Sequence, residues 1–430
     1  MYVTRPLSRY LADPNAAAEA PPEGPGSGFL LVVDEATEQA STRCCGLCLD
    51  RELRGLPFPQ NRGLALREGD AHPNLETFSK FADCFVEIVS RCNDINMPSR
   101  APLTGNAGKI YVLLVPVVGQ PLSSRRYYVV RGADGKHTGK VSACSREEDK
   151  TACCFCSCVK DAKPRAFDRA DVYQQVEVQQ LPSGRSNKGF KAVAAAADGI
   201  PPRYLRTKGW KVSTIPASSR HDDLADDAHG VDSALRRRMP PDLAGGVVVV
   251  GRWYVPFMFV KADGEYRRLK DQFRKCKFYR MTMEQSWEQI YTHTRRHQES
   301  SSEPAEVTVT ATVRRATALL GGAAVAVQEG GPQVEGGAVW FRPAAATTAA
   351  TVALDTVVWE RMRWEVERGG WVDGADEEER IERVERRDDG QWRQFGCYLL
   401  VERFVLRRMD GSVALTCEFR HTDKIRAKWV

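Results

Sequence analysis

No G-x-S-x-G turn, G-x-x-x-x-G-K-[ST] loop or H-E-x-x-H helix occurs anywhere in the 430 residues. These absences remove the serine-hydrolase elbow, the phosphate-cradling P-loop and the zincin pair as starting points. Histidine is scarce, with seven in all, and the only two spaced four apart, His293 and His297, have no carboxylate between them to act as a base. No run approaches the roughly 20 apolar residues that span a bilayer, since "ALLGGAAVAV" and "IYVLLVPVVG" are the longest, so no transmembrane helix is expected. Charge of one sign is also missing. An excess of +6 on 62 basic and 56 acidic residues leaves no dense cationic face, which makes nucleic acid an unlooked-for partner. The opening "MYVTRPLSRYLADPNAAAEAPPEGPGSG" lacks the apolar stretch of a signal peptide, and Asp13, Glu19 and Glu23 argue against a transit peptide. A cytoplasmic location, extending to the nucleus, is expected. The thirteen cysteines would then remain thiols or metal ligands.

What is present describes a folded chain. A hydrophobic content of 42%, a charged content of 27% and nine tryptophans belong to globular domains, and the length exceeds that of most single cores. Four regions are expected: an amino-terminal arm (1–28), a β-rich half with two cysteine clusters (29–180), an irregular connecting region (181–245) and a second β-rich half with helices (246–430). "GFLLVV", "KIYVLLVPVV", "RRYYVV", "VYQQVEVQQ", "GGVVVVGRWYVPFMFVK", "EVTVTATV" and "AVWFRP" read as strands, and "LPFPQN" as an extended edge because its prolines forbid helix. "YLLVERFVLRRMDGSVALTCEFRH" reads as a hairpin closed by Asp410-Gly411. "LETFSKFADCFVEIVSRC", "VDSALRRRM" and "LDTVVWERMRWEVER" read as helices. So does the segment from Thr282, where Thr282 and Gln285 form a capping box and Met283, Trp287, Ile290 and Tyr291 share a helical face. The expected class is α+β, predominantly β, with antiparallel hairpins in two β-rich halves and a few packed helices.

Two stretches carry chemistry. "CCGLC" and "TACCFCSCVKD" hold seven cysteines, of which Cys44, Cys48, Cys154, Cys156 and Cys158 are the candidate metal ligands. If the second stretch is extended, Cys154, Cys156 and Cys158 lie on one face about 6.6 Å apart, too far for neighbouring thiolates to share one tetrahedral ion. A loop, or the approach of Cys44 and Cys48, would restore a site. No cofactor is predicted, and zinc is the metal these thiols admit; buried thiols packed as small apolar groups are the competing explanation. The second stretch, "EYRRLKDQFRKCKFYR", interleaves Arg267, Arg268, Lys270, Arg274, Lys275, Lys277 and Arg280 with aromatic rings, as a patch for phosphate or an acidic membrane surface would. A solvated element whose rings face the core is the competing explanation.

Together "MYVTRPLS", "LPFPQN", "QPLSSRRYYVV", "REEDKTACCFCSCVKD", "IPPRYLRTKGWKV", "VVVGRWYVPFMFVK", "MTMEQSWE", "FGCYLLVERFVLRRMDGS" and "FRHTDKIRAKW" resemble the plant family known as Domain of Unknown Function 1262. The resemblance runs from Met1 to the carboxyl end. It implies an uncharacterised land-plant protein and no established chemistry. Two departures stand out: residues 68–105 do not resemble the family, and "CCGLC" is one residue shorter than the family spacing. With no catalytic constellation in view, the expected function is a non-catalytic binding or regulatory protein with a protein partner, in a stress or defence setting, with peripheral membrane contact left open. The alternative is a thiol-centred metal-binding or redox protein or enzyme.

Overall fold

A computed structural model describes the chain except residues 41, 44–47, 50, 68–108, 133–134, 154–155, 183–188, 216–223, 244, 296–304, 330–336, 346–349, 375–376 and 389–391. The helix expected in "LETFSKFADCFVEIVSRC" lies outside the described residues. Two compact units emerge: residues 6–19 with 31–218, and residues 1–5 and 20–30 with 219–430. Strands β1 (Tyr2–Pro6) and β2 (Gly28–Val32) sit at one end of the second unit's sheet.

The N-terminal unit contains helices α1 (Leu7–Ala12), α2 (Glu35–Ala40) and α3 (Arg203–Arg206). Its strands are β3 (Thr42–Arg43), β4 (Cys48–Leu49), β5 (Glu52–Leu53), β6 (Leu64–Arg67), β7 (Lys109–Pro116), β8 (Arg126–Arg131) and β9 (Ser145–Arg146). They continue with β10 (Lys150–Cys153), β11 (Cys156–Val159), β12 (Gln175–Gln180), β13 (Phe190–Ala194), β14 (Gly199–Ile200) and β15 (Lys211–Thr214). Seven of them form one sheet in the order β13-β12-β8-β7-β6-β15-β5. Residues 190–214 therefore supply sheet strands within the stretch expected to be irregular.

Period-two spacing puts Val112 and Leu114 of β7, Tyr127 and Val129 of β8, and Val176 and Val178 of β12 on one buried face, with Phe58, Phe190 and Trp210 closing the core. The rings of Phe58 and Phe190 meet edge to face at 5.1 Å. "LPFPQN" is held in place by Gln60, whose side chain donates to the carbonyls of Phe58 (2.6 Å) and Leu114 (2.9 Å) and accepts from the Leu31 amide (2.7 Å). A buried side chain thus supplies hydrogen bonds that the proline-broken backbone of this segment does not make as a ladder.

The C-terminal unit contains α4 (Ser233–Arg238), α5 (Leu269–Lys275) and α6 (Thr356–Arg368). Its strands are β16 (Gly230–Val231), β17 (Val248–Pro256), β18 (Val260–Ala262), β19 (Phe278–Thr294), β20 (Ala305–Arg314) and β21 (Ala316–Leu320). They continue with β22 (Ala324–Glu329), β23 (Ala338–Pro343), β24 (Val352–Asp355), β25 (Glu378–Arg387), β26 (Gln394–Arg408) and β27 (Val413–Trp429). A 12-stranded sheet runs β18-β24-β23-β22-β21-β27-β26-β19-β17-β1-β2, with β16 alongside β17. Among the described residues strands β20 and β25 pair only with each other, and Val307 and Val309 pack on Phe395 and Cys397 of β26. Every strand pairing with a described register is antiparallel, as the expected α+β, mainly β class requires.

The hairpin expected around Asp410-Gly411 is β26 and β27, with Asp410 Oδ1 accepting from the Ser412 amide at 2.8 Å and Gly411 at φ +87°. The helix expected from Thr282 is not formed. Those residues lie inside β19, where Thr282 pairs with Arg252 on one side and Val405 on the other. Thr282 Oγ1 donates to Glu284 Oε1 rather than capping a helix. β19 is paired along both edges and is buried from Met281 to Trp287, and this tertiary context overrides the local preferences of Met, Gln and Glu. His293 lies on β19, and residue 297 lies outside the described residues.

Phe58 anchors the N-terminal core, so Phe58→Ala is expected to destabilise that unit by about 3–5 kcal/mol. Urea unfolding followed through tryptophan fluorescence checks this; a loss well under about 1 kcal/mol would show that the cluster does not organise the unit.

Candidate functional site

The thiol stretches come first. β10 and β11 form a hairpin in which Lys150 faces Val159, Thr151 faces Cys158 and Cys153 faces Cys156. The second cysteine stretch is therefore two antiparallel paired strands rather than one extended strand. Cys156 and Cys158 are on β11, and Cys154 lies outside the described residues, as does Cys44. Cys48 is on β4, opposite Arg43 in another small hairpin. Four other cysteines are free and buried, namely Cys144, Cys276, Cys397 and Cys417. Burial raises the thiol pKa of each, to about 12 for Cys144 and about 11 for Cys276. A thiol held protonated is a poor nucleophile and a poor ligand.

The basic stretch divides in two. Arg267, Arg268, Lys270, Arg274 and Lys275 are exposed on and before α5, whereas Lys277 and Arg280 are half-buried. Arg267 and Arg268 line a depression of about 560 Å³ with Gly264 and Asp271. Arg280 is paired with Asp227 at 3.5 Å and touches the Tyr254 hydroxyl at 3.3 Å. Phe273, Phe278 and Tyr279 are core residues, which leaves Tyr266 as the half-buried ring, with the Arg408 guanidinium 4.5 Å from its centroid. The exposed cations gather on and before α5, and of the rings in the stretch Tyr266 is partly exposed, with Lys275 Nζ 5.9 Å from its centroid.

A site that local pattern did not reveal lies in the C-terminal unit. Glu402, at mid-strand in β26, is 1% exposed. Arg236 Nε and Nη2 donate to its two oxygens at 2.7 and 2.6 Å, Gln285 Nε2 donates to Oε1 at 2.9 Å, and His421 Nε2 sits 3.0 Å from Oε2. The sheet register supplies two of these partners: Gln285 of β19 faces Glu402 directly, and His421 of β27, opposite Leu400, is its diagonal neighbour. The helices supply the rest. Asp232 caps α4 by accepting from the Ala234 and Leu235 amides at 3.0 and 2.8 Å, which fixes Arg236 one turn later. Asp355 caps α6 through the Val357 amide at 3.0 Å, and α6 carries Glu365, which is fully buried. Glu365 accepts from Arg361 at 2.6 Å and Arg368 at 3.1 Å, and its backbone carbonyl accepts from Arg236 at 2.9 Å.

Burial alone would raise the Glu402 pKa. The hydrogen bonds from His421 and Arg236, with the charge of Arg236, outweigh it and hold the carboxyl near 2, below its ordinary 4.5. Such a carboxylate is a fixed anion, not a proton acceptor, and because it only accepts, His421 Nε2 carries a proton. Over this floor opens a cleft of about 410 Å³, inside the roughly 300–1,000 Å³ range of small-molecule sites. Ser233, Arg236, Arg237 and Met239 form one wall, Gln285, Leu400 and Glu402 the sheet side, and Arg368, Gly369 and Lys424 the remainder. Four cations thus border it against one carboxylate. Lys424 Nζ donates to the Gly369 carbonyl, and Gly369 lies so close to Arg236 that a Cβ there would fall 1.9 Å from Nη2. The detectable signal was Glu402 itself, since "YLLVERFVL" places a carboxylate on the same strand face as Leu400, Phe404 and Leu406.

Removing the carboxylate takes from the buried Arg236 its two short ionic bonds and leaves it only the Glu365 carboxylate at 3.8 Å, so Glu402→Gln is expected to lose about 3–5 kcal/mol at neutral pH. Because the folded pKa is depressed, the contribution of Glu402 is complete above pH 4.5 and is lost as pH falls toward 2. The difference in unfolding midpoint between wild type and variant should therefore shrink across that window; a pH-independent difference would contradict the pairing.

No curated protein matches the chain. Among solved structures, the crystal structure of Cry35Ab1 is similar over 86% of this chain and 90% of that one, at 10% sequence identity and a TM-score of 0.40. Residues 23–155 match the family described as protein of unknown function (DUF1262), the family the sequence motifs resemble, and the cleft residues, 233 to 424, lie outside that span.

Proposed function

We propose that this is a non-catalytic binding or regulatory protein and that the cleft between α4, α6 and the β19-β26-β27 sheet takes its ligand. The observation that supports it is the pre-built polar floor: Glu402, Arg236, Gln285 and His421 hold one another rigid beneath an opening of small-molecule size. Small-molecule sites are usually preformed concavities with a few placed polar groups. A carboxylate occupied by four donors and the shielded thiols favour holding over turning over. In this reading the protein acts in the cytosol or nucleus and signals ligand state to a protein partner.

A second reading, thiol-centred, draws on the β10-β11 register. It sets Cys153 opposite Cys156, and Cys153-x-x-Cys156 is the spacing of zinc ligands that the row Cys154, Cys156, Cys158 lacked. Two more thiolates would have to join this pair, and Cys48 on β4 is one candidate.

A saturation-transfer screen of small metabolites against wild type and Ser233→Trp, which would fill the cleft, tests the first reading. Hits that vanish in the variant are expected; hits indifferent to it, or chemical turnover of any of them, would overturn it. For the second, cobalt titration of reduced protein should give thiolate charge-transfer absorption that is lost on substituting Cys153 and Cys156, and its absence from the reduced wild type would remove the thiol reading.

A further inference from the structure

A strand at the edge of a sheet presents a row of unpaired amides and carbonyls that another strand can join, and folded proteins usually blunt such edges. The 12-stranded sheet does so: β18 is only three residues long, and β2 is buried along all five of its residues. The β20-β25 ribbon is built differently. Its strands run ten residues each and, among the described residues, pair only with each other. Successive residues of an antiparallel pair direct their backbone groups alternately toward the partner and away from it, so half of those on β20 face away from β25.

The two edges are not alike. β25, "EERIERVERR", is charged at eight of its ten positions, a composition that resists strand addition. β20 carries "VTVTATV" between Glu306 and Arg314, with no charge, proline or glycine and with six of those seven residues β-branched. Val307, Val309 and Val313 are buried, while Glu306, Thr308, Thr310, Thr312 and Arg314 form an exposed row on the other face.

That exposed row is its own complement. With a second copy of β20 laid antiparallel so that Thr310 faces Thr310, Thr308 meets Thr312 and Glu306 meets Arg314 of the second copy. On the buried face Val307 then meets Val313. The ion pairs already present extend across the seam: within each ribbon Arg386 bonds Glu306 at 2.9 Å and Arg314 bonds Glu378 at 3.1 Å. A row running Arg386, Glu306, then Arg314 and Glu378 of the second copy alternates in sign throughout. Any other antiparallel register loses both Glu306–Arg314 pairs, so charge selects this one.

We propose that β20 is a dimerisation edge: two copies of this chain join through it about a two-fold axis at Thr310, and their ribbons form one four-stranded antiparallel sheet. Cross-strand threonine and opposite-charge pairs are stabilising contacts in such a seam, and the two-fold makes each of them twice.

Sedimentation velocity of the full chain over a concentration series tests this. Wild type is expected as a monomer–dimer equilibrium. Thr310→Lys sets two ammonium groups opposite each other at the axis, while each keeps Glu382 beside it in its own ribbon, and should raise the dimer Kd about tenfold or more. Glu306→Arg alone faces Arg314 of its own kind across the seam, and Arg314→Glu alone faces Glu306, so each variant should be largely monomeric. An equimolar mixture of these two variants should regain the dimer, because both seam pairs are then arginine with glutamate. A wild type that stays monomeric at every concentration would overturn the proposal. So would a dimer that neither Thr310→Lys nor the charge variants weaken, or a mixture no more associated than its components.

Discussion

An ionised carboxylate in the middle of a large sheet imposes a condition that the C-terminal unit is arranged to meet. Glu402 is 1% exposed and stays charged because four donors reach it. Those donors arrive from three separate elements, and each must be in register to within a hydrogen bond's length. The pairing of β19 with β26 sets Gln285, that of β26 with β27 sets His421, and α4 must end where its Arg236 fork can span both carboxylate oxygens. A buried ion pair is a weak source of net stability, but removing one partner is strongly unfavourable, so such a network selects one arrangement among several compact ones.

The same network extends to α6, and this explains why the cleft is polar at its base. Arg236 also bonds the Glu365 carbonyl, while Glu365 gathers Arg361 and Arg368 on its carboxylate. Arg361 in turn donates to Ser27 Oγ at 2.8 Å, tying the early chain to this helix. Two carboxylates and three guanidiniums thereby satisfy each other, with the residual positive charge at the rim. By contrast the N-terminal unit rests on apolar and aromatic packing around Phe58, Phe190 and Trp210, where the order of contacts tolerates more variation in chemistry but not in volume.

The thiol-rich stretches illustrate how a turn changes chemistry. Read as one strand, Cys154, Cys156 and Cys158 form a row too widely spaced for a single ion. Folded as a hairpin, Cys153 and Cys156 become cross-strand neighbours in the backbone register. One reversal of direction converts a linear array into a pair. The basic stretch shows the opposite outcome, because Phe273, Phe278 and Tyr279 are drawn into the core while Arg267, Arg268, Lys270, Arg274 and Lys275 stay exposed beside a half-buried Tyr266.

Much of the architecture was legible in the residues. Alternation in "EVTVTATV", the proline ending "AVWFRP", the Asp410-Gly411 turn and the four-residue steps of α6 are local signals, and local sterics and hydrogen bonding are enough to produce those elements. The reading failed at Thr282, where a capping pattern and helical spacing coincided with a strand that gains both its neighbours from residues far away in sequence. It also passed over Glu402, whose position in an apolar strand was visible but whose partners come from residues 236, 285 and 421. Sequence by itself determined the mainly β class and most of the hairpins, because these depend on residues within a few positions of each other. Only tertiary structure decided which charges are buried together and where the cleft opens, because that depends on strand register and helix placement over distances of more than a hundred residues.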